Sequence, residues 1–381
     1  MDFDFSAKEK KLRENIRDLF DEKARAGLNE LDKADIQSIR KIILQWLPKL
    51  AQVNYLDLGL DDGRNSPPLV AAQEMLAAMS PSLFLSTEVS TRVFGRMVAV
   101  YGTPDQQKEI LPGLKEGKIL GTVALSEEGG NIESNPLTTT GRPSNEGCQV
   151  TGTKGHVVNA PIADWIAVAG IISEKKNEHV VFFLIKKESE GLSIGARLPT
   201  LGYNGVATSS LSLDGCDVPA NLVMGPFDGK EVLQTVRMWE DQVLVASSLG
   251  LIQRSFDSAS NYAKKHESGG KPIIQYQEVG FKLAEMLTLL QSSQLLAYRA
   301  AWMGKTGDRE EQDLVHCAKT FCAESAEEVT SKALQILGGQ GYIRGNPVEE
   351  GFRDAKYVQI AGTSTEISRM KIGDSVLEKE C

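Results

Sequence analysis

Three places in this chain set charged side chains or an unusual backbone where chemistry could be done. The first is Leu334–Arg369, LQILGGQGYIRGNPVEEGFRDAKYVQIAGTSTEISR. A glycine-dense turn carrying Gln335, Gly338 and Gly339 leads to an Arg353-Asp354-Ala355-Lys356 run and then to the loop Ala361-Gly362-Thr363-Ser364, whose first two residues cannot take a proton. The second is Glu240-Asp241, directly after Trp239 in RMWEDQVLVASS. A carboxylate between apolar neighbours is desolvated and gains proton affinity, as a general base requires. A glutamate near a helix start is equally well explained as a solvated acid favoured by the helix dipole. The third is Arg92 in EVSTRVFGRMVAVYG, one helical turn after Glu88; a buried cation there pairs either with a substrate carboxylate or with Glu88 itself.

Other chemistries find little support. GGQGY and ESGGKP lack both the Gly-Lys-Ser/Thr ending and the preceding strand of a phosphate loop. His179, His266 and His316 are unclustered, and Cys148, Cys216, Cys317, Cys322 and Cys381 form no CxxC pair, so neither a metal site nor a disulfide framework is expected. A net charge of −9 without a long basic run argues against nucleic acid. The N-terminus is charged from Asp2 onward, and no apolar run approaches the roughly 18 residues of a membrane span. The expected setting is cytoplasmic and reducing.

The elements that must position these residues fall into three blocks. At 381 residues, 41% hydrophobic and 24% charged, the chain can bury a sizeable core. Residues 1–118 carry apolar side chains at three- and four-residue spacing and read as an α-helical domain. Residues 119–225 change to short β-rich runs (GTVALS, WIAVAGII, VVFFLIKK, SSLSLDG) between Gly, Asn and Pro turns, a small barrel or sandwich. Residues 226–381 return to long amphipathic helices, expected to pack as an antiparallel bundle. The fold class is α+β.

The C-terminal stretch, with its Gln-x-x-Gly-Gly-x-Gly-Tyr turn and Arg-Asp-Ala-Lys run, closely resembles the signature of the flavin-dependent acyl-CoA dehydrogenases. GTPDQQKEILPGLKEGKILGTVALSE, GTKGHVVNAPIADWIAVAG and LDGCDVPANLVMG are similar to further family segments, so the resemblance covers nearly the whole chain. It implies an N-terminal helical domain, a middle β-barrel and a C-terminal four-helix bundle. It also implies FAD, an acyl-CoA substrate losing its α-proton to a carboxylate and its β-hydride to flavin, an electron-transferring flavoprotein as electron acceptor, and a homo- or hetero-tetramer.

Aligned without a gap, the family's catalytic glutamate falls on Gly362; matching Gly-Thr to Gly-Thr puts it on Ala361. The backbone N–H at Gly362 would still serve as a donor to the thioester oxygen. One family branch takes its base from the first helix of the bundle, and counting ten positions back from Gly250 places that base at Glu240, with Asp241 where many members carry Arg. The resemblance assigns flavin contacts to Leu125, Ser126, His156, Val158, Gln335, Gly338, Gly339 and Ser364, with His266 reaching FAD across a dimer, and places Arg92, Asp241 and Ala361 at the acyl pocket. Ile132, Val158 and His266 stand where the family has serine, a hydrogen-bonding side chain and arginine. Those departures leave open a flavin-poor, non-catalytic subunit of a hetero-oligomer, or a non-oxidative or reductive reaction on the same scaffold.

Overall fold

The computed structural model describes residues 6–61, 64–127, 137–144, 146–174, 177–227, 231–304 and 309–378; Ile132 lies outside them. Seven helices come first: α1 (Ala7–Asp18), α2 (Glu22–Asn29), α3 (Ile36–Gln52), α4 (Pro67–Met79), α5 (Pro81–Glu88), α6 (Arg96–Tyr101) and α7 (Pro104–Lys115). Their starts are written in the sequence. Ser6 and Thr103 form reciprocal capping boxes with Glu9 and Gln106, and Ser66, Ser80 and Thr103 each precede a proline at the first helical position. Between α5 and α6 the chain stays helical but widens to a π-helical stretch over Val89–Gly95, a form frequent beside functional sites.

Eight strands follow: β1 (Gly121–Ala124), β2 (Thr140–Pro143), β3 (Gly147–Val158), β4 (Trp165–Glu174), β5 (Asn177–Lys186), β6 (Leu192–Ile194), β7 (Thr208–Pro219) and β8 (Val223–Phe227). They form one sheet in the order β6-β7-β3-β2-β4-β5-β8, with β1 pairing β4 in parallel. Strand alternation assigns the two faces. Ile166, Val168, Val181, Phe183 and Ile185 enter the sheet's own core with Val150, Leu211 and Leu213. Their neighbours Ala167, Ala169, Phe182 and Leu184 turn the other way, against Phe84, Phe94 and Met97 of the helical domain. The continuous apolar runs of β4 and β5 are therefore the signature of strands buried on both faces.

The third block is built on α8 (Glu231–Lys265), then a short hairpin of β9 (Glu267–Ser268) and β10 (Lys271–Pro272), α9 (Gln277–Met303), α10 (Arg309–Leu337), α11 (Pro347–Ile360) and α12 (Thr365–Glu378). The structure is thus helical with one eight-stranded sheet and the small β9–β10 hairpin, the α+β organisation expected. α8 is its hub. Val236, Trp239 and Val243 join the N-terminal core, Leu251 and Ile252 pack with α10 and α11, and Val245 and Leu249 pack with α4, α9 and α10. A helix buried all round carries almost no amphipathic stripe. Gly250 lets α4 and α8 touch: a Cβ there would sit 2.3 Å from the Ala77 Cβ.

Candidate active site

The two candidate stretches meet although 122 residues separate them. α11 ends at Ile360, and Ala361 N–H closes that end by donating to Tyr357 O at 2.9 Å. Gly362 then turns with φ +65°, a left-handed conformation that favours glycine. The turn lays Thr363 N–H against α8, where it donates to Asp241 Oδ1 at 2.7 Å. Ser364 begins α12 by accepting Ile367 N–H, so its hydroxyl serves as a helix cap.

Asp241 is fully buried, and burial pushes its carboxyl up to about 6 despite Lys319, the Thr363 bond and Arg237, which favour the charged form. Lys319 reaches in from the buried face of α10, donates to Val358 O at 2.6 Å, and is pushed below the usual lysine range by burial. Glu240 lies beside this pair with its side chain 26% exposed, against none for Asp241, and accepts from Arg237 Nη1 at 2.5 Å. The apolar desolvation expected for Glu240 thus falls on Asp241, because Arg237 sits one turn before Glu240 and supplies a cation. Arg237 and Lys319 are the cations whose charge acts on Asp241. Sequence reasoning missed both, although Arg237 is three residues before Glu240, and Lys319 shares a helical face with Val315 and Cys322.

A clamp fixes the loop against α8. Asp354 in α11 accepts Tyr203 N–H at 2.6 Å, the Tyr203 hydroxyl meets Ser247 Oγ of α8 at 2.6 Å, and the Tyr203 and Tyr357 rings lie 5.0 Å apart. Burial raises the Asp354 carboxyl to about 7. The middle block thereby sets the spacing between α8 and the helix that carries Gly362.

The remaining expected flavin residues are spread over four places: after β1, on β3, after α8 and at the end of α10. Leu125 and Ser126 follow β1, and their carbonyl oxygens accept from Lys154 Nζ and Gly155 N. Lys154 is buried and paired at 2.6 Å with Glu127, whose carboxyl is held down at about 2 as bonds from Lys154, Thr138 and Thr139 outweigh burial. Glu127 staples the ends of the segment between β1 and β2 through Thr138 and Thr139 and ties it to β3 through Lys154. A register shift between β3 and β7 after Lys154 projects exposed His156 from the strand at φ +54°. Val158 is buried, and its carbonyl accepts from Thr122 Oγ1. His266 is exposed and stacks on Tyr262 at 4.7 Å. Gln335, Gly338 and Gly339 are exposed too, and a Cβ on either glycine would meet nothing within 4 Å.

Arg92 requires a correction. It is wholly buried, donates to Tyr55 O at 2.5 Å and Leu56 O at 2.8 Å, and its Nε lies 3.9 Å from Glu88 Oε2. Glu88 in turn accepts from Tyr55 OH and Gln73 Nε2. Of the two partners open to Arg92, Glu88 is the one beside it, and the two terminal nitrogens of Arg92 are committed to the Tyr55 and Leu56 carbonyls.

Whether the site suits FAD and a thioester is tested by its own unsatisfied atoms. Asp241 Oδ2 and Thr363 Oγ1 at the loop, and Asn159 Oδ1 and Ser86 Oγ where β3 meets α5, are buried without a hydrogen-bond partner in the chain. Such atoms call for a ligand that offers donors and acceptors of its own. Hydroxyl, amide and carboxyl groups suit a flavin edge and a thioester carbonyl.

Residues 6–118, 122–216 and 228–377 match the N-terminal, middle and C-terminal domains of acyl-CoA dehydrogenases. The mitochondrial short-chain specific acyl-CoA dehydrogenase of Homo sapiens is 30% identical over 314 residues, 80% of this chain and 74% of that protein. A 3-(aryl)acrylate reductase of Clostridium sporogenes is 27% identical over 98% of this chain and 100% of its own length. The butyryl-CoA dehydrogenase structure from Megasphaera elsdenii superposes with a TM-score of 0.88 at 24% identity, covering 99% of this chain and 100% of that one. With all three domains matched in order around the Gly362 loop and α8, the chain belongs to the acyl-CoA dehydrogenase family of FAD-dependent oxidoreductases.

Proposed function

We propose that this chain oxidises an acyl-CoA thioester between its α and β carbons, with FAD taking up the hydride and an electron-transferring flavoprotein receiving the electrons. The observation that carries this reading is the meeting of the Gly362 loop with the Glu240-Asp241 pair on α8. Glu240, paired with Arg237 Nη1 at 2.5 Å and 26% exposed, accepts the α-proton. The Gly362 N–H donates to the thioester oxygen as negative charge builds there, a preorganised donor that needs no side chain. Leu125, Ser126, His156, Val158 and Ser364 hold the flavin end of the cofactor; Gln335, Gly338, Gly339 and a second subunit's copy of His266 hold its adenosine end. Ala361 lines the acyl pocket.

Residues 1–118, 119–225 and 226–381 act as three domains sharing α8 as a common wall. The assembly is a tetramer, supported by the exposed apolar side chains Phe281, Leu287, Leu295 and Trp302 along α9. No helix among the described residues is long and apolar enough to cross a membrane. Cys148, Cys216 and Cys322 are free thiols, which favours a cytoplasmic, reducing setting.

A second reading, reduction of an α,β-unsaturated acyl group by the same residues in reverse, is favoured by the full-length match to an arylacrylate reductase. The deciding experiment is the visible spectrum of the protein purified alone and again after adding FAD. Near-stoichiometric flavin is expected. Protein that stays colourless after reconstitution sinks the stand-alone enzyme and points to a partner chain that supplies the flavin site.

A further inference from the structure

Asp241 is a buried site carboxylate that the proposed reaction does not use, and its surroundings give it a different task. A Cβ built on Gly362 would lie 2.3 Å from Asp241 Oδ1 and 2.8 Å from Leu244 Cδ1. Real Cβ contacts are never that short, so one of the two groups would have to leave. The carboxylate has little room to do so. It is 0% exposed, and the same oxygen that blocks position 362 holds Thr363 N–H at 2.7 Å. Arg237 and Glu240 on α8 and Lys319 on α10 are the charged groups around it.

We propose that Asp241 is the positioning residue of the acyl site: it fills the volume that a side chain at position 362 would enter, and by holding the Gly362–Thr363 peptide through Thr363 N–H it fixes the turn that aims the preceding Gly362 N–H at the thioester oxygen. Glycine at 362 and aspartate at 241 are then a single coupled feature. A glutamate cannot return to the loop while Asp241 stays, and the carboxylate facing substrate must come from the neighbouring residue, Glu240. This inference rests on the dehydrogenase reading for its catalytic half and on packing alone for its structural half.

The experiment has an arm for each half. In urea unfolding, Gly362→Ala is compared in wild-type and Asp241→Ala backgrounds. The left-handed backbone alone shifts the folding equilibrium against an L-residue by about 5- to 30-fold, and overpacking multiplies this by a further factor of roughly 5 to 150. Gly362→Ala is therefore expected to cost about 25- to 4,500-fold with Asp241 present and about 5- to 30-fold without its side chain, at least about 5-fold less. Asp241→Asn, which keeps the obstructing oxygen, should preserve the larger cost. Equal costs in all three backgrounds overturn the packing half.

In the flavin-loaded protein, Asp241→Ala is expected to lower kcat for acyl-CoA-dependent flavin bleaching by about 10- to 100-fold, with a smaller change in KM, because the donor is misplaced. Asp241→Asn should restore kcat to within a few-fold, since its amide oxygen still accepts Thr363 N–H. An Asn variant no better than the Ala variant overturns the positioning role. If wild-type protein binds flavin but no acyl-CoA bleaches it, the dehydrogenase reading fails, and the unfolding arm still decides the place of Asp241.

Discussion

Glu127→Gln tests how the flavin end of the site is built. Glu127 Oε1 accepts from Lys154 Nζ at 2.6 Å and from Thr139 N and Oγ1 at 3.0 and 2.7 Å; Oε2 accepts from Thr138 N and Oγ1, both at 2.6 Å. A glutamine has one acceptor oxygen, so whichever way it turns, its amide N–H faces a threonine N–H that has lost its acceptor. The buried Lys154 ammonium is also left without its counter-charge. Breaking a buried pair from one side costs about 3–5 kcal/mol, and the lower end applies because Lys154 keeps its bond to Leu125 O.

Lys154→Met should be tolerated better in the Glu127→Gln background than alone, giving a coupling of about 1.5–3 kcal/mol in a double-mutant cycle read by urea midpoints. The sign of the pH effect follows from both groups. The Glu127 carboxyl at about 2 stabilises the fold above pH 4.5, and that stability is lost as pH falls toward 2. Lys154, lowered to about 8, is deprotonated more readily once Glu127 is neutral, so Glu127→Gln should be less damaging at pH 9 than at pH 7. A loss below about 1 kcal/mol, or additive effects in the cycle, refutes the staple. Flavin affinity should fall with it, because the pair fixes the backbone at Leu125 and Ser126.

Asp354, raised to about 7, stays protonated in the fold where the unfolded chain has ionised, so its contribution to stability is full below pH 3.8 and is lost as pH rises to 7. Asp354→Asn should flatten that slope and raise the urea midpoint at pH 8 relative to wild type; an unchanged slope counts against it. Arg92→Met leaves Tyr55 O, Leu56 O and Glu88 without their cation and should cost about 3 kcal/mol. Acyl-CoA substrates ending in a carboxylate should be turned over no better than neutral ones of equal length, and a clear preference for them would restore Arg92 to the substrate. Tyr203→Phe strands Ser247 Oγ in the α8 core and should cost about 1 kcal/mol by thermal or urea unfolding. A neutral result there would remove the Tyr203 hydroxyl from the clamp.

The order of helical, β-rich and again helical elements was legible because the helical spacing of α1, α3 and α7 and the apolar runs of β4 and β5 are local signals. Pro48 and Pro112 inside α3 and α7 did not hide those helices. The loop at Gly362 and the start of α8 were both singled out in the sequence, and Thr363 N–H and Asp241 bring those two stretches into contact. What could not be read was which side chain holds which. Glu127 and Lys154 are 27 residues apart, Asp241 and Thr363 are 122 apart, and Asp354 binds the Tyr203 backbone across 151. No local pattern encodes such pairs; burial decides them. The same holds for Arg92, whose neighbour Glu88 was visible on its helix face while the Tyr55 and Leu56 carbonyls were not.

The central claim is that Glu240 takes the substrate proton in place of the absent loop glutamate. Anaerobic mixing of the flavin-loaded protein with a panel of acyl-CoA thioesters, in wild type and Glu240→Gln, tests it most directly. Wild type should lose its visible flavin band with at least one thioester, and the variant, still holding flavin, should do so about 10²- to 10⁴-fold more slowly. Equal bleaching rates in the two proteins would contradict the account.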